Sequence, residues 1–159
     1  MRWLRRGRSG PQQDELRRLN HDQYTVAAAL GGRLIPQRRF GGWELPDVEL
    51  RRGGLTVRTG VDYHGEGEAA QLLRWIRIAP PVTMQWRVPR LTERGRRDLP
   101  PPAHELLKRL ERDVAGVELD RTGFVVWLPG TEPDPAAVRT AIDRTISVVR
   151  KLLIPSTGG

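Results

Sequence analysis

Hydrophobic residues recur at helical spacing in three stretches of the chain. The first covers residues 12–31 and ends at Gly31-Gly32, a pair that is typical of a helix stop. The second covers residues 103–114, and the third runs from Asp134-Pro135, a typical helix start, to residue 153. The apolar positions that carry these patterns are Leu16, Leu19, Val26, Leu106, Leu107, Leu110, Val138, Ile142, Ile146 and Val149. The sequence therefore predicts an N-terminal helix, a short middle helix and a C-terminal helix.

Hydrophobic and polar residues alternate between the first two helices, as they do in strands with one buried face. Residues 48–51 and 55–61 alternate on either side of Gly53-Gly54, and a Gly-Gly pair between two such runs indicates a hairpin. Residues 124–128 are apolar throughout, which favours a central strand. The sequence therefore predicts three strands, at residues 48–51, 55–61 and 124–128.

The stretch 68–78 fits both a helical and a strand template, because short apolar runs cannot be assigned by periodicity alone. We assign it as a strand on the dense ending Trp75-Ile76-Arg77-Ile78. Residues 82–88 alternate in the same way beyond Pro80-Pro81, which turns the chain. We interpret the two runs as a second hairpin.

The predicted order is helix, four strands in two hairpins, helix, strand and helix. This order indicates an α+β fold, an antiparallel sheet of about five strands with the three helices packed mostly on one face. We expect one core that contains Val57, Ile76, Met84, Trp86, Val126, Ile142, Ile146 and Val149. We divide the chain into a basic flexible arm (1–11), a single α+β domain (12–154) and a flexible tail (155–159). Residues 89–102 are rich in arginine and proline, which predicts a mobile or polyproline-like loop.

Several local motifs between about Ala27 and Leu153 recur together in one known layout. They are the helix end Ala29-Leu30-Gly31-Gly32-Arg33, the strand Val48-Glu49-Leu50-Arg51 ahead of a Gly-Gly hairpin, a strand ending near Ala79-Pro80, and a late apolar strand followed by an Asp-Pro helix start. In this layout the chain resembles a group of uncharacterised bacterial α+β domains. The resemblance implies the fold and carries no activity with it.

Length and composition narrow the class of protein further. The chain has 159 residues, which fits one domain, and it contains no cysteine. Disulfides, thiol nucleophiles and cysteine-ligated metal sites are thereby excluded. No apolar run approaches the roughly 18 residues of a membrane helix. We expect a soluble, cytoplasmic protein.

The formal net charge of +8 is concentrated in two short segments. Residues 1–18 hold six arginines and two acids, and residues 87–97 hold five arginines and one acid, so each segment carries +4. The other 130 residues carry 16 basic and 16 acidic side chains and are neutral. A nonspecific nucleic-acid-binding protein is therefore one hypothesis, and it requires the two segments to lie on one face.

Motifs for catalysis or cofactor binding are missing or incomplete in the sequence. None of the three serines lies in a nucleophile elbow, and neither lysine follows a phosphate-binding glycine loop. The segment Gly65–Ala70 matches a dinucleotide fingerprint, but no acid follows about 20 residues later, so we interpret it as a hairpin tip. We therefore predict no cofactor.

Four polar residues alternate at that hairpin: Asp62, His64, Glu66 and Glu68. On an extended strand they would share a face, and one imidazole with three carboxylates could hold a divalent ion. Solvated residues at a hairpin tip explain the same pattern, so we assign no metal ligand. A metal-assisted enzyme at Asp62–Glu68 stays an alternative.

A run of arginines surrounds Trp3 ahead of the first helix. Tryptophan and arginine dominate the energetically important positions of protein interfaces, which favours docking on a partner. The candidate partner-binding residues are Arg2, Trp3, Arg5, Arg6 and Arg8 of the arm and Arg94, Arg96 and Arg97 of the arginine-rich loop. The leading hypothesis is a noncatalytic protein-interaction or scaffold module that binds an unknown protein partner or a second copy of itself.

Overall fold

The fold was analysed in a computed structural model, which describes residues 10–39 and 41–157. Helices and strands alternate along the chain, and a one-turn 3-10 helix at Gly67–Ala69 joins the third and fourth strands. The elements in chain order are α1 (Gln13–Leu30), β1 (Arg33–Ile35), β2 (Asp47–Arg52), β3 (Leu55–His64), β4 (Gln71–Ala79), β5 (Met84–Trp86), α2 (Glu93–Arg97), α3 (Pro101–Arg112), β6 (Gly116–Asp120), β7 (Gly123–Trp127), α4 (Pro135–Leu152) and β8 (Leu153–Pro155). No helix among these is long and apolar enough to cross a membrane.

The described strands form an α+β architecture with a six-stranded and a two-stranded sheet. The large sheet is antiparallel throughout and has the order β1-β2-β3-β4-β7-β6. The small sheet pairs β5 with β8 at the end of α4. The predicted fold class is confirmed, with six strands in the main sheet where about five were expected.

The main core lies between one face of the large sheet and the helices α1, α3 and α4. Six of the eight predicted core residues are buried there: Val57, Ile76, Val126, Ile142, Ile146 and Val149. Met84 and Trp86 are half-buried and pack against its margin from the small sheet. A smaller cluster of Leu19, Trp43, Leu45 and Val61 lies under the first half of α1. The predicted core is therefore correct except at its margin.

Helix ends follow the signals in the sequence. Gly31 adopts the left-handed conformation, with φ of 68°, and ends α1. The Asp134 Oδ1 accepts a hydrogen bond of 3.0 Å from the Ala136 N–H, and Pro135 occupies the first turn of α4. These two predicted helix ends are confirmed.

The predicted second hairpin is wrong. β4 pairs with β3 and β7, whereas β5 pairs with β8, about 70 residues further along the chain. After Pro80 the chain makes a tight turn in which the Met84 N–H donates to the Pro81 carbonyl at 3.0 Å, and Val82 is 99% exposed. The apolar strand β7 takes the place beside β4, because Phe124 and Val126 continue the buried rows of Ile78 and Ile76.

Residues 89–102 contain the short helix α2 and the start of α3, where a mobile or polyproline-like loop was predicted. Val88 and Leu99 are buried in the main core on either side of α2. The Thr92 hydroxyl caps α2 by accepting a 3.0 Å hydrogen bond from the Gly95 N–H. The prolines at 101 and 102 start α3, where a missing N–H leaves no bond unmade. At the C-terminal end, Pro155 lies in β8, and the Ser156 N–H donates to the Thr83 carbonyl at 2.9 Å.

One arginine lies inside the fold. Arg74 in β4 is 0% exposed and shares the buried face of the sheet. Its Nη1 donates to Gln23 Oε1 at 2.8 Å and to Thr59 Oγ1 at 3.2 Å, and its Nε donates to the carbonyls of Thr131 at 3.2 Å and Glu132 at 2.9 Å. Burial lowers the pKa of Arg74 to about 10, although nearby carboxylates oppose the change. Arg74 therefore stays charged at neutral pH and joins α1, β3 and the loop after β7.

Candidate binding cleft on the open face of the sheet

The large sheet has a second face, opposite α1, α3 and α4, which we call the open face. Successive side chains of a strand point to opposite faces of the sheet, and this alternation determines which residues lie on the open face. Because Ile76 and Ile78 point into the core, Trp75 and Arg77 lie on the open face. By the same register the open face carries Asp47, Glu49, Arg58, Gly60, Asp62, His64, Glu118, Val125 and Trp127.

Flat side chains cover the centre of the open face in place of a helix. The Arg77 guanidinium lies 5.0 Å from the ring centroid of Trp75, and the His64 ring lies 4.6 Å from that of Trp127. Trp75 is 5% exposed and Val125 is 3% exposed as a result. Trp75 and Trp127 therefore form a layer on the side of the sheet opposite the helices.

Gly60 gives Trp75 the room to lie flat on β3. A Cβ atom at this position would stand 2.6 Å from Trp75 Cζ2 and 2.5 Å from Asp47 Oδ1, closer than carbon and oxygen atoms pack. We expect Gly60→Ala to lower the free energy of unfolding by about 1–3 kcal/mol, the usual cost of overpacking. Gly130→Ala is the control, because nothing lies within 4 Å of a Cβ there. Equal urea midpoints for the two variants would contradict this packing of Trp75.

Ion pairs form a connected row across the open face. Two carboxylates, Asp47 and Glu49, each contact two arginines, and Arg39 reaches Asp47 from the loop between β1 and β2 in a direct hydrogen bond. The further pairs are Arg33–Glu49 at 2.7 Å, Arg58–Glu49 at 3.1 Å, Arg58–Asp47 at 3.9 Å and Arg39–Asp62 at 3.8 Å. The row therefore alternates in sign from β1 to β3.

The pKa values of the two central carboxyl groups shift in opposite directions, although burial raises both. Burial raises the pKa of Asp47, even though Arg39 and Arg58 lower it. Hydrogen bonds from Arg33, and less strongly from Arg58, lower the pKa of Glu49. A carboxylate held among arginines where burial disfavours its charge is typical of functional sites, so the surroundings of Asp47 are a candidate site.

Beside Asp47 the open face contains a cleft of about 220 Å³, which we call the Arg77 cleft. Arginine, aspartate and tryptophan side chains line it: Arg39, Arg58, Arg77, Asp47, Asp62, Trp75 and Trp127. Arg77 has no carboxylate within ion-pair distance among residues 10–39 and 41–157. Its charge lowers the pKa of Asp47 and of Asp120 from a longer distance, but it forms no ion pair of its own with a described carboxylate.

Three N–H groups that belong to residues of the Arg77 cleft have no hydrogen-bond partner. They are Arg39 Nε, Arg77 Nε and Trp127 Nε1, and all three are buried. The Asp62 carboxylate is 3.8 Å from Arg39 Nε, which is a charge contact and too long for a hydrogen bond. Buried donors are normally paired, so these three N–H groups each lack an acceptor among the described residues.

The predicted hairpin cluster is divided by the structure. Asp62 and His64 lie on the open face, while Glu66 and Glu68 lie in the exposed connection to β4. The Asp62 Oδ1 accepts a hydrogen bond from the Tyr63 N–H at 2.8 Å, and His64 stacks on Trp127. Within the part of the chain that the structure describes, no three His, Asp or Glu side chains are grouped to hold a metal ion.

The predicted partner-binding arginines of the loop differ in their surroundings. Arg96 donates to both Glu111 carboxylate oxygens, at 2.5 and 2.9 Å, and to the Leu91 carbonyl at 3.2 Å. It therefore fastens α2 to α3. Arg94 and Arg97 are exposed. The arm residues Arg2, Trp3, Arg5, Arg6 and Arg8 lie outside the described residues, and all eight assignments stay predictions.

The described parts of the two basic segments lie at opposite ends of the sheet. Arg87 donates to the Lys151 carbonyl at 2.9 Å at the end of α4, and Arg150 there donates to the carbonyl of Gly53, ahead of β3, at 3.0 Å. Gln12 lines a hollow beside the other end of β3. Since β3 has 10 residues, the separation is roughly 30 Å at 3.3 Å per residue. The two segments do not begin from one shared patch.

No protein-family model, curated protein or solved structure matches the chain. The resemblance to bacterial α+β domains stays a prediction. The Arg77 cleft was also not among the sites suggested by the sequence, although one signal for it is present. In Arg74-Trp75-Ile76-Arg77-Ile78, the two isoleucines fix the buried side and so place Trp75 and Arg77 together on the other side.

Proposed function

We propose that the protein is a noncatalytic protein-interaction module that binds a negatively charged segment of a partner protein through the open face. The observation that carries the proposal is the Arg77 cleft, where a surplus guanidinium and three buried donors lack an acceptor. Arginine and tryptophan are the residue types that contribute most to protein interfaces. The surface therefore has the side chains and the charge that such a partner needs.

The side chains of the cleft favour binding over catalysis. Its two carboxylates, Asp47 and Asp62, both contact Arg39, so neither is available as a general acid or base without losing an ion pair. The remaining polar side-chain groups are the guanidinium and indole N–H groups, which can hold an anion, and the Gln37 amide, and none of them supplies a nucleophile. Recognition of a charged group is the simplest use of this set.

A protein partner suits the open face better than a nucleic acid. The open face has one surplus positive charge beside Asp47, Glu49 and Asp62, which suits a single carboxylate group better than a run of phosphates. Base stacking needs exposed aromatic rings, whereas Trp75 is buried and Trp127 is covered by His64. Nonspecific nucleic-acid binding through 1–18 and 87–97 therefore ranks second, and a metal-assisted reaction at Asp62–Glu68 ranks third.

The basic arm would add a second contact to the same partner. Its proposed anchors are Trp3 with Arg2, Arg5, Arg6 and Arg8, and the exposed Arg94 and Arg97 would add charge. Gly10 already belongs to the folded body, since a Cβ there would lie 2.4 Å from Trp43 Cδ1. A truncation that tests the arm should therefore begin at Gly10. We propose a cytoplasmic location for this association.

The test is recovery of partners from a lysate of the source cells, followed by measurement of the dissociation constant with each purified partner. We expect Arg77→Glu to weaken binding at least tenfold, because it reverses the surplus charge of the cleft. Arg109→Glu is the matched control, since Arg109 is exposed on α3, away from the open face. Unchanged binding by Arg77→Glu would contradict the proposal. Loss of binding only in the chain that begins at Gly10 would assign the contact to the arm.

A further inference from the structure

We infer that the Arg77 cleft is a carboxylate site, which takes the side chain of one aspartate or glutamate of the partner. In this arrangement the carboxylate accepts hydrogen bonds from Arg77 Nε, Arg39 Nε and Trp127 Nε1. The inference rests on the proposed function, because it names the group that the open face binds. It also makes a claim about a small probe, which can be tested without the partner.

The hydrogen-bonding groups of the cleft determine the kind of ligand. All three unpartnered atoms are N–H donors, and no oxygen of a residue that lines the cleft is both buried and unpartnered among the described residues. A buried donor without an acceptor costs free energy in the unbound state. A ligand that offers several acceptor lone pairs removes this cost, whereas a donor such as an ammonium group does not. Charge-assisted bonds from guanidinium to carboxylate are the strongest of this type.

Charge decides between a carboxylate and a phosphate group. The row of ion pairs and Arg77 together hold four arginines, Arg33, Arg39, Arg58 and Arg77, and three carboxylates, Asp47, Glu49 and Asp62, so one positive charge is surplus. A carboxylate neutralises that charge. A phosphate monoester carries about −1.5 to −2 at neutral pH and would leave negative charge beside both aspartates. The balance therefore favours the singly charged group.

The surroundings of the cleft suit a side chain that is attached to a polypeptide. Trp75 and Val125 also line the cleft, and the small part of each that is exposed can contact a methylene group of Asp or Glu. A second hollow of about 210 Å³ adjoins the same Arg77 side chain and is lined by Thr56 and Thr122 among others. Neighbouring residues of a bound segment can occupy this hollow. Arg77 would then lie at the centre of the contact.

The test uses the ¹⁵N-labelled full chain and sodium acetate as the probe, with sodium chloride exchanged for acetate at constant ionic strength. We expect the indole N–H signal of Trp127 to move saturably as acetate binds. Trp86 is an internal control, because its Nε1 is also buried without a partner but lies in β5, outside the cleft. Its signal should not move. Arg77→Gln should raise the acetate dissociation constant at least tenfold, and Arg109→Gln should leave it unchanged.

Arg77→Lys keeps the inference testable if Arg77→Gln does not fold. Lysine keeps the charge and removes Nε, so acetate should bind several-fold more weakly to this variant than to the wild type. Equal shifts in chloride and acetate, or unchanged binding by a folded Arg77 variant, would overturn the carboxylate site. Saturable binding of inorganic phosphate without binding of acetate would overturn it as well. If acetate binds and Arg77→Glu loses no partner, the cleft is a carboxylate site but the proposed function fails. If acetate does not bind and Arg77→Glu loses the partner, the carboxylate site fails and the proposed function holds.

Discussion

Replacing Arg74 with methionine is expected to lower the free energy of unfolding by about 3–5 kcal/mol. Methionine keeps most of the side-chain length, so the change removes the guanidinium and leaves little empty space. Gln23 Oε1 and the carbonyls of Thr131 and Glu132 then lose the donor that they share. The buried carboxylate of Asp22 also loses the nearby positive charge that offsets the cost of its burial. Urea unfolding followed by circular dichroism measures the loss.

Arg109→Met is the control for this prediction. Arg109 is exposed on α3, and its contact with Glu105 at 3.6 Å is a surface ion pair, so the change should stay within about 0.5 kcal/mol of the wild type. A loss below about 1 kcal/mol in Arg74→Met would contradict the account. It would mean that the carbonyls and Gln23 find other donors.

Shortening Ile146 to alanine is expected to destabilise the fold by about 2–5 kcal/mol. Ile146 is 4% exposed and belongs to the main core, where α4 packs on the sheet. Removing three carbon atoms from a close-packed site loses their burial and leaves a cavity that the rigid sheet fills poorly. The effect should appear as a lower urea midpoint with an unchanged slope.

Ser147→Ala is the matched control on the next residue of α4. Ser147 is exposed, and its hydroxyl donates to the Asp143 carbonyl at 3.1 Å within the helix. Its replacement should change stability by no more than about 0.5 kcal/mol. Similar midpoints for Ile146→Ala and Ser147→Ala would mean that this face of α4 is not part of the core.

Local patterns in the sequence predicted those parts of the fold that local interactions determine. The hairpin at Gly53-Gly54, the Asp134 cap and the apolar faces of α1, α3 and α4 follow from residues near each other in the chain. The pairing of β5 with β8 does not, because its partners are about 70 residues apart. Alternation at Met84 and Trp86 predicts a strand there, but it does not indicate which other strand pairs with it.

The Arg77 cleft was missed because its residues come from separate elements. Arg39 lies in a loop, Arg58 in β3, Arg77 in β4 and Trp127 in β7, and the sheet register brings them together. Apolar character alone also does not say which face of the sheet the helices cover. Arg74 could not be placed from the sequence either. Arginine is rarely buried, yet Arg74 lies on the face of the sheet that the helices cover.

Site-specific photo-crosslinking of the intact chain to its partner tests most directly whether the open face is the contact surface. The photoreactive residue is placed at Glu118, which is exposed on the open face opposite Val125 in the sheet register, or at Arg109 on α3. We expect crosslinks from Glu118, mapped to an acidic segment of the partner, and none from Arg109. Crosslinks from Arg109 with none from Glu118 would place the partner on the helices and contradict the account.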